Sequence, residues 1–106
     1  MSSATKRRDG KDAEYCAFIA SLPCIICRMT GEQQRSRTEV AHIGRNRGMS
    51  RKCPDRETAP LCGIAHHREG PLSHHKLGTR FWHTWSADPR EIIAVLNRMY
   101  DERTKS

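Results

Sequence analysis

Apolar residues are scarce in this chain. They make up 36% of its 106 residues, so the core must be small, and a core this small commonly leans on a disulfide or a bound metal. No apolar run approaches the length of a membrane span. Residues 1–11 are polar and basic where a secretory leader would be apolar. Disulfides suit the chain poorly, because five cysteines cannot all pair and no leader is expected ahead of them. Those absences argue against a secreted disulfide framework and a membrane protein. They favour metal ligation in a reducing cytoplasm.

Carboxylates are also few. Nineteen Lys and Arg stand against 12 acids, for a formal charge of +7. Arg45, Arg47, Arg51, Lys52 and Arg56 fall within one short stretch whose single carboxylate is Asp55. Such a cluster attracts a polyanion, and nucleic acid is the usual one. No recognisable base-reading element accompanies it, so weak sequence specificity is expected, or a partner that supplies it. A merely solvated basic surface is the plainer alternative.

The chain reads as one α+β domain over residues 12–102, between a disordered basic tail at 1–11 and a short tail at 103–106. Tyr15, Phe18, Ile19 and Leu22 recur at helical spacing, and Pro23 ends that helix. Cys24 to Cys27 predicts a tight knuckle, followed by a polar loop from Arg28 to Arg37. Strands are expected over Thr38–Ile43 and Thr58–Cys62, with Pro60 confining the second to an edge or a short ribbon. The Gly- and Arg-rich stretch from Gly44 to Pro54 reads as an exposed loop. Ser73 is placed to cap a helix carrying His75, Leu77, Phe81 and Trp82. Asp88-Pro89-Arg90-Glu91 reads as a cap, a first-turn proline and a capping-box acid. The helix that follows should bury Ile92, Ile93, Leu96, Met99 and Tyr100.

Between Cys24 and His75 lie four cysteines and five of the six histidines. Cys24 and Cys27 have the two-residue separation that points two thiolates at one ion. Cys62 is followed by His66 and His67, either of which can supply a fourth ligand. His66 is the choice here, because His67 then faces the other way along the turn. Cys24, Cys27, Cys62 and His66 thus predict a closed structural zinc site. Cys16 reads as plain core and Cys53 as a bystander. His74 and His83 read as solvated helix positions, and Trp82 and Trp85 as core and rim aromatics. His42, His67 and His75 remain, and a binding module with one closed zinc would not need them.

With these residues in place, the chain resembles the HNH, or ββα-metal, nuclease superfamily. Pro23-Cys24-x-x-Cys27, Ala41-His42, Lys52-x-x-Asp55, Pro60-Leu61-Cys62 and His66-His67…His75-x-x-Gly78…Phe81-Trp82 resemble phage proteins of the recombination-enhancement (Ref-like) nuclease group. The resemblance covers about residues 12–100. It implies a small zinc-stabilised ββα-metal domain with flanking N- and C-terminal helices. It also implies DNA cleavage with a second divalent ion (magnesium, manganese or zinc), phage or prophage origin, and a phage or host recombination protein as partner. By position, His42 matches the general base, Asp55 the residue that steadies the base loop, and His67 the closing histidine. His75 would add a ligand. Family members often carry an acid directly before the base histidine; here that residue is Ala41, so Asp55 or His75 must compensate. A non-catalytic zinc module that binds nucleic acid is the alternative function.

Overall fold

The first helix, α1 (Ala13–Ala20), begins where Asp12 Oδ1 accepts the Tyr15 N–H at 3.1 Å, and it buries Tyr15, Phe18 and Ile19. In this computed structural model, residues 12–44 and 53–105 are described. The tail over 1–11 and the cations Arg45, Arg47, Arg51 and Lys52 lie outside them. Pro23 separates α1 from a short helix, α2 (Ile25–Thr30), where the spacing predicts a knuckle and a polar loop. Cys24 is its N-cap, and Gly31, at φ 77°, closes it in the left-handed region that glycine enters without strain. The segment Ala13–Thr30 has the apolar content of a membrane span. Yet it is broken at Pro23, and Tyr15, Ile19 and Ile26 are fully buried in the core.

Strands β1 (Thr38–His42) and β2 (Thr58–Cys62) form an antiparallel ribbon with Glu39 opposite Leu61 and His42 opposite Thr58. A two-stranded ribbon leaves one side of each strand without a ladder, which is why Pro60 is tolerated. The β2 residues are all buried, so this short strand is the centre of the molecule. Side-chain alternation sets Glu39 and Ala41 on one face of β1, and Val40 and His42 on the other.

A π-helical turn, Gly63–His67, follows β2 directly. The single helix expected after Ser73 is instead two, α3 (His74–Leu77) and α4 (Arg80–Thr84). Gly78 breaks them at φ 60°. Ser73 occupies the cap position, but its hydroxyl makes no capping bond; it is buried without a hydrogen-bond partner. The last helix, α5 (Pro89–Lys105), opens as read, with Asp88 Oδ1 accepting the Arg90 N–H at 3.0 Å. It runs past residue 102 to Lys105, and Arg103 lies 5.1 Å from the Phe18 ring. Ile92 and Leu96 are buried and Tyr100 meets Tyr15 edge-on at 5.1 Å. Met99 is exposed, contrary to expectation. It lines a groove with Met29 and Val95 on the side of α5 turned toward α2.

Candidate metal centre and histidine site

Two local structures bring the closed cluster together. The first turn of α2 aims Cys24 and Cys27 the same way, with Cys24 Sγ accepting the Cys27 N–H at 3.5 Å. The π turn carries His66 back over Cys62, the last residue of β2, placing its Nδ1 3.2 Å from Cys62 Sγ. A tetrahedral zinc with sulfur at ~2.3 Å and nitrogen at ~2.0 Å requires sulfurs about 3.8 Å apart and sulfur to nitrogen about 3.5 Å. The Cys27 and Cys62 sulfurs are 3.8 Å apart, and His66 Nδ1 lies 3.5 Å from Cys24 Sγ and 3.6 Å from Cys27 Sγ. The four residues are buried and could hold a structural metal ion such as zinc. Burial pushes the Cys24 thiol up, and Cys27 to about 12. A bound cation would make thiolates of them at neutral pH. His66, rather than His67, joins the thiols.

Gln34 and Trp85 brace this centre. Gln34 Oε1 accepts the Cys24 N–H at 2.7 Å, while its Nε2 donates to Ser36 O and Thr38 Oγ1. The amide therefore ties the α2 cap to the start of β1. Trp85 stands edge-on to the His66 ring at 5.1 Å, and Trp82 is core. The Trp85 contact carries no local signal, because it joins residues far apart in the chain.

At the end of β1, His42 Nε2 meets Asp55 Oδ1 at 2.9 Å. Asp55 also accepts the Asp12 N–H at 2.8 Å. Burial acts to raise the Asp55 carboxyl, but the Asp12 and His42 bonds hold it below the usual value. Its ionised oxygen accepts only, so His42 carries a hydrogen on Nε2; in the neutral ring the lone pair is then at Nδ1. Cys16 is half-buried beside this pair, not plain core; burial and the Asp55 charge raise it to about 11.

His67 and His75 sit together, their rings 4.8 Å apart. His67 Nδ1 lies 2.7 Å from Glu39 Oε1, a partner 28 residues away that has no local signal in the sequence. Arg68 grips the same carboxylate at 2.7 and 2.8 Å. The Arg68 fork, then the His67 bond, lower Glu39 to about 2. Burial lowers the His67 pKa, with Glu39 opposing. His74, read as solvated, is half-buried against Phe81 and Trp82 at 5.4 and 5.6 Å, because α3 folds back onto α4 at Gly78. Burial lowers its pKa too. His83 is exposed, as read. Among the described residues, no hydrogen bond or ring contact joins the His42–Asp55 pair to His67 and His75. Of the two candidates to compensate for Ala41, His75 lies with His67 while Asp55 is engaged by His42.

Arg56, counted above among the DNA-facing cations, is engaged inside the fold. Its guanidinium lies 4.7 Å from the Tyr15 ring and 5.0 Å from Tyr100. It donates to Asn97 Oδ1 at 3.1 Å and to Asp101 Oδ1 at 3.2 Å, and pairs with the buried Asp12 at 3.4 Å. Cys53 is buried, its thiol 3.5 Å from the Glu57 carbonyl oxygen.

Compared with family models, with curated proteins and with solved structures, the chain matches none.

Proposed function

We propose that this chain is a divalent-metal-dependent endonuclease of HNH type that hydrolyses phosphodiester bonds in DNA. The observation that carries the reading is the His42–Asp55 pair, 2.9 Å apart and outside the closed cluster. Such a pair is what a water-activating base needs: one ring nitrogen fixed by a carboxylate, the other presented to a proton. His42 Nδ1 accepts the proton of the attacking water, and Asp55 steadies the imidazolium that results. The water oxygen forms the new bond to phosphorus as the bond to the leaving oxygen breaks.

His67 and His75 would hold the second ion. Two imidazoles on one ion at ~2.0–2.1 Å keep their centroids about 4.5–5.2 Å apart, and theirs are 4.8 Å apart. When bound, that ion polarises the scissile phosphate and takes up charge on the leaving oxygen. Arg45, Arg47, Arg51 and Lys52 supply the contacts to backbone phosphates. Motif resemblance supports the same reading, including phage or prophage origin and a recombination protein as partner.

A non-catalytic zinc module that binds nucleic acid is the rival. It is favoured by one fact: among the described residues, the one group of three or more clustered ligand side chains is the closed one. Cleavage assays on single-stranded and duplex plasmid, with wild type and His42→Ala side by side, separate the two.

A further inference from the structure

We infer that Glu39 is the positioning residue of the ion site: its carboxylate fixes the His67 imidazole with the proton on Nδ1 and the lone pair on Nε2, ready to ligate. The inference rests on the reading of His67 and His75 as ion ligands. Glu39 Oε1 is 2.7 Å from His67 Nδ1. An ionised carboxylate accepts and cannot donate, so that nitrogen must carry the hydrogen. A ligating histidine commonly gives its other N–H to a carboxylate, which sets the tautomer, orients the ring and raises the basicity of the ligand nitrogen.

Three features show that the contact is built into the fold. Arg68 takes both carboxylate oxygens in a fork, through Nε at 2.7 Å and Nη2 at 2.8 Å, so Glu39 cannot rotate away without losing both bonds. The His67 side chain is only 12% exposed against 45% for Arg68, so the imidazole contact is the sheltered half. Gly63 makes the room: a Cβ there would lie 2.6 Å from Glu39 Oε2. Gly63 is held in place by its N–H bond to Arg37 O at 3.0 Å, which extends the ribbon one step past Cys62.

This arrangement also accounts for Ala41. Glu39 and Ala41 share a face of β1. The acid on that face stands two residues earlier and acts behind His67, not beside it on the ion.

The test uses the full chain with zinc in the closed site. Nitrogen-15 NMR of the side chains reads the His67 tautomer, and a cobalt(II) titration followed by absorbance reads the ion site. Wild type should show His67 protonated on Nδ1. Glu39→Ala should give mixed tautomers and bind cobalt about ten- to a hundredfold more weakly. Glu39→Gln keeps an oxygen that can accept the Nδ1 proton, so it should restore the tautomer and part of the affinity. Arg68→Ala removes the fork that holds the carboxylate, so it should weaken cobalt binding too, but by less than Glu39→Ala, because the His67 contact itself remains. If Glu39→Ala fails to fold, the wild-type tautomer and the Gln variant still decide. A wild-type His67 protonated on Nε2, or undiminished cobalt affinity in folded Glu39→Ala, overturns the inference and leaves the nuclease reading standing. A wild type that takes up no cobalt beyond the zinc site overturns both.

Discussion

His42 Nε2 and Asp55 Oδ1 lie 2.9 Å apart, and the chain between them carries Arg45, Arg47, Arg51 and Lys52. The cations are therefore tethered at both ends to the proposed base. Gly44 donates to Glu57 O at 3.2 Å, and the Cys53 thiol donates to that carbonyl at 3.5 Å, which keeps the two ends of the segment close. In the nuclease reading, that tether brings the phosphates gathered by the segment to the group that activates water.

One zinc per chain should be held tightly. A core this small cannot replace it, so Cys27→Ala and Cys62→Ala should give largely unfolded chains by circular dichroism. Gln34→Ala removes an acceptor from the Cys24 N–H, and should lower stability by about 1 kcal/mol while zinc still binds. A folded, zinc-free protein recovered after strong chelation would count against the structural role.

Arg56 should behave unlike its neighbours in sequence. Replacing it with Ala removes the guanidinium paired with the buried Asp12 carboxylate and stacked on two tyrosines. The expected cost is about 2 kcal/mol, read as a lower melting temperature. The salt dependence of DNA binding should not change. Arg47→Ala with Arg51→Ala should do the reverse, flattening a log K against log salt slope of roughly −3 to −4, the value for about four neutralised phosphates.

Acid should weaken the fold from about pH 6.5 downward. His67 and His74 both have pKa values lowered by burial from 6.5. In the window below 6.5 the unfolded chain binds more protons than the folded one, so stability falls as pH falls. His74→Phe removes one such group and keeps the packing on Phe81 and Trp82. Its melting temperature should drop less than that of wild type between pH 7 and pH 5.5; an equal drop would assign the acid sensitivity elsewhere.

The elements with local signals were legible in the sequence. Asp12, the Tyr15–Phe18–Ile19 stripe and Pro23 define α1; Asp88 and Pro89 open α5; the β-branched run ending at His42 is β1. The ligand cluster was legible because its spacing is chemical: two thiols a turn apart, then a thiol and an imidazole a turn apart. What stayed hidden was non-local. Glu39 meets His67 and Arg56 meets Asn97 only after the ribbon and α5 have docked. Gly78 read as one residue in a helical pattern, yet its positive φ splits that helix and turns His74 inward.

The most direct measurement is the rate of plasmid cleavage by zinc-loaded wild type and His42→Ala, with magnesium or manganese added. A positioned base contributes on the order of a hundred- to ten-thousandfold, so His42→Ala should lose that much rate while zinc content, melting temperature and DNA affinity barely move. His67→Ala and His75→Ala should regain part of their lost activity at high metal concentration. Wild-type protein that leaves single-stranded and duplex DNA intact with every divalent ion tried, or His42→Ala that cuts as fast as wild type, would contradict the catalytic reading.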